Sequence, residues 1–324
     1  MKPITRRLPP KPVSAGNNHP GPRLLSLAEI VAGGDPPVFF LKEGQTMNEW
    51  KMNLLVTLNA GYLRPLTVMI NSILLSDANV RLDVYILHKS LKTSDFSRVS
   101  SAINSQRLSL IPILIEDSAL AKAPTSRRYP TEMYYRLFAS RYLPAHLDRV
   151  LYLDPDLVVI RSLKELYAMQ MDNHYFAACS HVLFRGIQKF NELRLNMEKD
   201  TPYINSGVLL MNLPLLREET NQEEVLQYIR RHKKVLMLPD QDVLSALYGS
   251  KTILMDSLIY NLSERFKNAY NLRLFPGDVR ITTEWIREHA AIIHYCGKNK
   301  PWKKNYVGDL GVFYQEIVAQ TPLW

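Results

Sequence analysis

Two carboxylates stand at the end of an apolar run in Arg149-Val150-Leu151-Tyr152-Leu153-Asp154-Pro155-Asp156-Leu157-Val158-Val159-Ile160. On an extended backbone, residues two apart point to the same face. Asp154 and Asp156 therefore offer two hard oxygen ligands side by side, a donor set that suits Mg²⁺ or Mn²⁺. Such an ion keeps positions open for phosphates, and open α/β sheets bind ligands at their carboxyl ends. Alone, Asp-Pro-Asp is also ordinary turn chemistry, so the rest of the chain decides. Three further clusters follow: Asn205-Ser206-Gly207 entering an apolar run, Leu238-Pro239-Asp240-Gln241-Asp242 opening a helical stretch, and His294-Tyr295-Cys296-Gly297-Lys298-Asn299-Lys300-Pro301-Trp302 after another apolar run. His294 can add an imidazole nitrogen to the two carboxylates. Gly297 lets backbone come close to a phosphate, and Lys300 supplies a point charge for a diphosphate. Asp240 and Gln241 offer acceptors for sugar hydroxyls or a developing cation. Each cluster also has a plain structural role: Asp240 as a helix N-cap, Gln241 as a surface residue, Lys300-Pro301-Trp302 as a packed turn. All four in this order point to metal-assisted chemistry at a nucleotide diphosphate.

Positioning such groups takes a sheet. Met52–Leu58, Leu82–Leu87, Leu108–Ile115 and Arg149–Leu153 read as strands. Between them Leu66–Leu75, Ser94–Ile103 (Ser94 as N-cap) and Glu132–Leu143, closed by Pro144, read as helices. This βαβαβαβ order predicts a mostly parallel sheet with helices on both faces. The second half is mixed. Tyr175–Cys179, Ile204–Met211 and Ala290–Tyr295 are expected strands; Gln222–His232 and Asp240–Tyr248 are expected helices. Phe184–Thr201 is polar with few apolar anchors and reads as a mobile loop over a site. Residues 1–46, broken by Pro9-Pro10-Lys11-Pro12, Gly21-Pro22, Gly33-Gly34 and Pro36-Pro37, read as a poorly structured leader, with the folded domain over 47–324.

The chain has 324 residues, 46% hydrophobic and 22% charged, enough for a sizeable core. Its net charge of +9 favours anionic partners such as nucleotide phosphates. Two cysteines without CxxC spacing, Cys179 and Cys296, imply neither a zinc ribbon nor a disulfide framework and fit free thiols in a reducing, cytoplasmic setting. No apolar run approaches the roughly 20 residues that span a bilayer.

With its motifs quoted, the chain resembles glycosyltransferase family 8, which includes bacterial lipopolysaccharide galactosyl- and glucosyltransferases and, more distantly, glycogenin. The resemblance covers about residues 52 to 306 and rests on Tyr152-Leu153-Asp154-x-Asp156 and His294-x-x-Gly297-x-x-Lys300-Pro301-Trp302. It implies a GT-A fold, a single α/β domain with a Rossmann-like, mostly parallel sheet, and retaining transfer of a hexose from a UDP-sugar with Mn²⁺ (or Mg²⁺). It further implies that Asp154, Asp156 and His294 hold the metal and that Gly297 and Lys300 hold the diphosphate. Thr57, Asn59 and Tyr62 are similar to the uridine site, and Arg136 to an arginine that reaches toward the donor. Asn205, Asp240 and Gln241 resemble the donor-sugar contacts, Gln241 standing where a nucleophile or cation-stabilising group is debated. Two positions depart from the pattern. Asn59 replaces a frequent aspartate, although its amide oxygen still accepts from an N–H. Ser180-His181 replaces an aspartate near the sugar, which leaves glucose and galactose both open.

Two rival readings compete. A nucleotidyltransferase would carry a Gly-rich loop after the first strand, whereas Asn59-Ala60-Gly61-Tyr62 has one glycine. A non-catalytic sugar-nucleotide-binding relative would not need the full ligand set. Nucleic-acid binding is disfavoured: the one tight basic cluster, Arg230-Arg231-His232-Lys233-Lys234, sits at a helix C-terminus, where cations are favoured anyway. A glycan, lipid or protein acceptor, peripheral membrane contact and oligomeric state all stay open at this level.

Overall fold

The computed structural model of the protein describes residues 49–116, 131–273 and 279–324, so the expected leader over residues 1–46 lies outside the described residues. Nine strands are described: β1 Trp50–Thr57, β2 Val80–His88, β3 Leu108–Leu114, β4 Arg149–Leu153, β5 Leu157–Val159, β6 Phe176–Cys179, β7 Val208–Asn212, β8 Thr252–Met255 and β9 Ile292–His294. Seven form one sheet in the order β3-β2-β1-β4-β7-β6-β8, in which β7 alone runs against the others. The remaining two pair antiparallel, with Leu157 opposite His294.

The central strands are apolar without a break because both their faces are covered. Val150, Leu151, Tyr152 and Leu153 of β4 are all fully buried, as expected for a sheet with helices on each side. Alternate residues feed two cores. On one face Leu54, Val56, Leu151, Leu153 and Leu210 pack with Leu66, Met69 and Ile73 of the Leu63–Ser76 helix. On the other, Leu55, Val150, Tyr152, Leu209 and Met211 pack with Val243 and Leu244 of the Pro239–Tyr248 helix. A third core joins Val158 of β5 and Ile293 of β9 to Phe313, Tyr314 and Ile317 of the Gly311–Val318 helix.

Several local expectations are corrected. The second helix starts at Thr93, and Ser94 is not its cap. Asp95 instead turns back to accept from the Lys92 N–H at 2.9 Å, a carboxylate satisfying one orphan donor of the first turn. The helix expected over Glu132–Leu143 is a 3-10 helix from Thr131 to Phe138, followed by one α turn, Ala139–Tyr142. Met133, Tyr134, Tyr135 and Arg136 are all buried, so the segment lacks the single inward stripe that an amphipathic helix would show. The strand expected from Ile204 begins only at Val208, because Ser206-Gly207 makes a turn. The last strand narrows to Ile292–His294. Phe184–Thr201 is mostly a helix, Arg185–Leu195, rather than a loop. Beside the buried Leu195 and Met197, its anchors are polar: Arg194 pairs with the buried Asp242, and Gln188 donates to the Thr201 carbonyl at 2.6 Å. A search for apolar periodicity passes over anchors of that kind. Among the described residues, no helix is long and apolar enough to cross a membrane.

Candidate active site

The site gathers where β1, β4 and β9 end and β7 begins. Asp154 follows β4 directly, and its N–H donates to the Gly207 carbonyl at 2.8 Å, tying it to the turn before β7. Its Oδ1 accepts from the Tyr152 hydroxyl at 2.6 Å and from Arg136 Nη2 at 2.9 Å. The β5–β9 ladder brings Asp156 to His294, and the Tyr295 N–H donates to the Asp156 carbonyl at 2.9 Å. His294 Nε2 lies 3.3 Å from Asp156 Oδ1 and 3.7 Å from Asp154 Oδ2. One ligand atom from each of the three residues falls within 4.8 Å of the other two.

That nitrogen tests whether the residues fit a metal. His294 Nε2 is buried and has no hydrogen-bond partner among the described residues. A buried polar atom without a partner is costly. Here it faces two carboxylates, so a cation between them would satisfy all three at once. Oxygen ligands with one imidazole match Mn²⁺ or Mg²⁺ better than a thiolate-seeking ion. The donor set therefore fits a hard divalent cation.

A cavity of about 660 Å³ opens over this cluster. Eleven of the twelve residues singled out in the sequence line it: Thr57, Asn59, Tyr62, Arg136, Asp154, Asp156, Asp240, Gln241, His294, Gly297 and Lys300. The twelfth, Asn205, stands beside it, its Nδ2 donating to Gln241 Oε1 at 3.2 Å. At one end, Thr57 Oγ1 is 3.2 Å from the Tyr152 hydroxyl, and the Tyr62 ring meets Trp302 edge-on with centroids 6.2 Å apart. Asn59 Oδ1 accepts from the Gly61 N–H at 3.0 Å, so it caps the turn that presents Tyr62. At the other end Asp240 lies in the first turn of its helix rather than at the cap. Its Oδ2 accepts from Ser206 Oγ at 2.8 Å and pairs with Arg136 at 3.2 Å. Phe184, which precedes the Arg185–Leu195 helix, and Ile187 within it, with Leu238 and Phe266, give the mouth an apolar wall.

Charges in the site hold one another. Arg136 is buried between Asp154 and Asp240 and also donates to the Ser206 carbonyl at 2.9 Å. Burial works against its charge, but Asp154, Tyr152 and Asp240 outweigh burial and raise its pKa. Lys300 Nζ bonds Asp156 Oδ2 and donates to the Tyr295 carbonyl at 2.9 Å. Burial alone would push the Asp156 carboxyl up; His294, when its ring is protonated at both nitrogens, and Lys300 overcome it and hold the group well below the usual carboxylate range. Asp240 goes the other way: burial raises it, and Arg136 only partly offsets that. The pocket thus keeps a firmly ionised carboxylate beside His294 and a less acidic one at Asp240.

Gly297 has φ +93°, a conformation that glycine adopts freely. Gly207 matters for another reason, which the sequence reading passed over. A Cβ there would lie 2.2 Å from His294 Cε1 and 2.9 Å from Asp154 Oδ2, so only glycine lets the metal-type ligands close over the turn. Its place in Asn205-Ser206-Gly207 was the available signal. Asn261, bonded to both His294 and Asn205, had none.

The model of the family "Glycosyl transferase family 8" matches residues 53–306. The chain is 25% identical over 278 residues to lipopolysaccharide 1,2-glucosyltransferase of Escherichia coli K12, covering 84% of this chain and 78% of that protein. It is 24% identical over 279 residues to lipopolysaccharide 1,3-galactosyltransferase of Salmonella typhimurium, covering 84% and 79%. Among solved structures, the galactosyltransferase LgtC in complex with donor and acceptor sugar analogues superposes with a TM-score of 0.71 at 22% identity, over 84% of this chain and 97% of that one. That likeness identifies the fold as GT-A type. The matched span runs from β1 through Lys300 and so contains the whole candidate site: the chain belongs to glycosyltransferase family 8.

Proposed function

We propose that this glycosyltransferase moves a glucose or galactose from a UDP-sugar to a saccharide acceptor, with retention of configuration and with dependence on a divalent ion. The observation that carries the reading is the partnerless His294 Nε2 facing Asp154 and Asp156 in the floor of a cavity that also holds Asp240 and Gln241. Asp154, Asp156 and His294 would hold Mn²⁺ or Mg²⁺. When bound there, the ion supplies positive charge opposite the diphosphate of the leaving group.

The chain's own residues do the rest. Tyr62 and Thr57 line the end suited to a uracil ring, and the second lone pair of Asn59 Oδ1 is left to accept its N–H. Lys300 gives up Asp156 for a phosphate oxygen and adds a fixed positive charge where negative charge develops. Gly297 lets backbone approach the same group. Arg136 holds Asp154 and Asp240 in register across the cavity, and Asp240 accepts from sugar hydroxyls. Gln241 already receives Asn205 Nδ2 on its oxygen, which favours orienting the sugar and steadying an oxocarbenium face over nucleophilic attack. Retention then follows from front-face attack, with the leaving phosphate taking the acceptor proton. The relatives' lipopolysaccharide activities support a glycan acceptor, and the unpaired thiols of Cys179 and Cys296 are in keeping with a cytoplasmic setting. A nucleotidyltransferase or a non-catalytic binder is less well supported, because the sugar-side groups and the ligand set stand together.

The test is a donor panel: purified protein, Mn²⁺, nucleotide sugars, and detection of released UDP. UDP release from UDP-glucose or UDP-galactose is expected, lost in excess EDTA and in Asp156→Ala. Undiminished turnover in EDTA would overturn the metal dependence, and turnover of non-uridine donors alone would overturn the donor assignment.

A further inference from the structure

Asn261 is fully buried and lies in the loop before the Leu262–Ile293 bridge, 33 residues from His294 in sequence. Its Oδ1 is 2.8 Å from His294 Nδ1, and its Nδ2 is 2.9 Å from Asn205 Oδ1. Asn205 Oδ1 also accepts from the Gly207 backbone N–H at 3.0 Å, while Asn205 Nδ2 reaches Gln241 Oε1 at 3.2 Å. The imidazole, three side-chain amides and one backbone N–H form a single chain of hydrogen bonds.

Side-chain amides can be turned over, so their polarity must come from something that cannot. The Gly207 N–H is that fixed point, since a backbone nitrogen only donates. Asn205 must therefore present oxygen to it. The atom of Asn261 facing that oxygen must be a donor, its Nδ2. Asn261 Oδ1 is then left against His294 Nδ1, which must carry the proton. The neutral imidazole holds one proton, so Nε2 becomes the bare acceptor aimed at Asp154 and Asp156. At the other end the same polarity gives the Asn205 N–H to the Gln241 oxygen.

We propose that Asn261 is a positioning residue that sets the tautomer and orientation of His294 as a ligand, and couples that ligand through Asn205 to the sugar-side Gln241. The inference rests on the reading of His294 as a metal ligand, whose free nitrogen needs its partner nitrogen held by an acceptor. Further support comes from the backbone: the Asn261 carbonyl lies 2.7 Å from His181 Nε2, and the His294 N–H donates to the Leu262 carbonyl at 2.8 Å. The asparagine is thereby fixed from both sides, and its side chain has no solvent to turn to.

The experiment reads the proton directly in metal-free protein. Long-range ¹H–¹⁵N correlation of ¹⁵N-histidine-labelled protein, in mildly alkaline buffer, distinguishes the tautomers, with His294→Gln assigning the signal among the eight histidines. The wild type is expected to show Nδ1–H. Asn261→Leu removes the acceptor at nearly constant volume and is expected to shift the ring toward Nε2–H, donating to Asp156. Mn²⁺ affinity, read by electron paramagnetic resonance, is expected to fall about 10–100-fold. Asn205→Asp can still accept from Gly207 and Asn261, so it is expected to keep Nδ1–H while releasing Gln241. An Nε2–H tautomer in the wild type overturns the proposal. So does Asn261→Leu with an unchanged tautomer and unchanged Mn²⁺ affinity. If that variant does not fold, the wild-type tautomer and its retention in Asn205→Asp decide. Wild type that shows Nδ1–H but binds no Mn²⁺ overturns the metal reading above and leaves the polarity chain upheld.

Discussion

At the scale of single residues, the site is a set of charges that satisfy one another pairwise while leaving one nitrogen over. Asp154 is taken up by Tyr152 and Arg136, and Asp156 by Lys300. His294 Nε2 remains without a hydrogen-bond partner among the described residues, and that asymmetry is what supports the proposed cation position. Gly207 is what makes the approach possible. Gly207→Ala is expected to force His294 or the turn aside, destabilising the fold by about 1–3 kcal/mol as overpacking does. Mn²⁺ affinity should fall at least ~10-fold, as for the loss of a ligand-supporting contact. Calorimetry with paramagnetic titration checks both, and an alanine variant with full Mn²⁺ affinity would show that the ligands do not need this closeness. Gln241 carries the mechanistic question. If it only orients the sugar, Gln241→Ala should slow transfer by the ~10²–10³-fold of one lost electrostatic group, and the product should keep the donor's configuration. Loss of all transfer, with a hexose-mass adduct on Gln241→Glu, would mean that the side chain is a covalent nucleophile instead.

At the scale of elements, the Pro239–Tyr248 helix and the Arg185–Leu195 helix are joined by one buried carboxylate. Asp242 is fully buried and accepts from Arg194 at 2.7 and 2.9 Å, from the Tyr203 hydroxyl at 2.6 Å and from the Met237 N–H at 2.6 Å. It therefore fixes the entry into the helix that presents Asp240 and Gln241, and it holds down the helix that walls the mouth. Asp242→Ala leaves Arg194 without its partner, and removing one member of a buried pair costs about 3–5 kcal/mol. Urea unfolding should show that loss, together with a raised KM for donor because the turn carrying Gln241 loosens. A loss below about 1 kcal/mol would mean that the two helices dock without the pair. The expectation of a mobile loop over 184–201 failed for this reason: the segment is secured by an ion pair between residues 48 apart in sequence, and no local pattern records it.

At the scale of the whole molecule, the matched family span of residues 53–306 lies after Met47, where the cores among the described residues are built. The Pro- and Gly-rich composition of residues 1–46 predicts no contribution to those cores. A chain beginning at Met47 is expected to melt within a degree or so of the full chain, on the scale set by a negligible change in stability, and to release UDP at the same rate. A clear loss of either would assign the leader a role in folding or in acceptor binding.

What the sequence determined by itself was the alternation of elements and the residue types of the candidate site that the fold brings together. Parallel strands covered on both faces must be written as unbroken apolar runs, so Leu54–Val56 and Val150–Leu153 were legible, as was the carboxylate pair that interrupts such a run at Asp154 and Asp156. Groups that hold a metal or a phosphate are limited to a few residue types, so His294, Gly297 and Lys300 stood out by type and order. What only the tertiary structure decided is how these groups are held. The turn at Asn205-Ser206-Gly207 is tied to Asp154 from a distant part of the chain, and the clamp of Arg136 on Asp154 and Asp240, the pairing of Lys300 with Asp156 and the place of Asn261 behind His294 are contacts between residues 18 to 144 apart. An asparagine in Tyr260-Asn261-Leu262 looks like any loop asparagine until folding removes water from around it. Only then must its amide choose a polarity, and a backbone N–H elsewhere in the chain makes that choice.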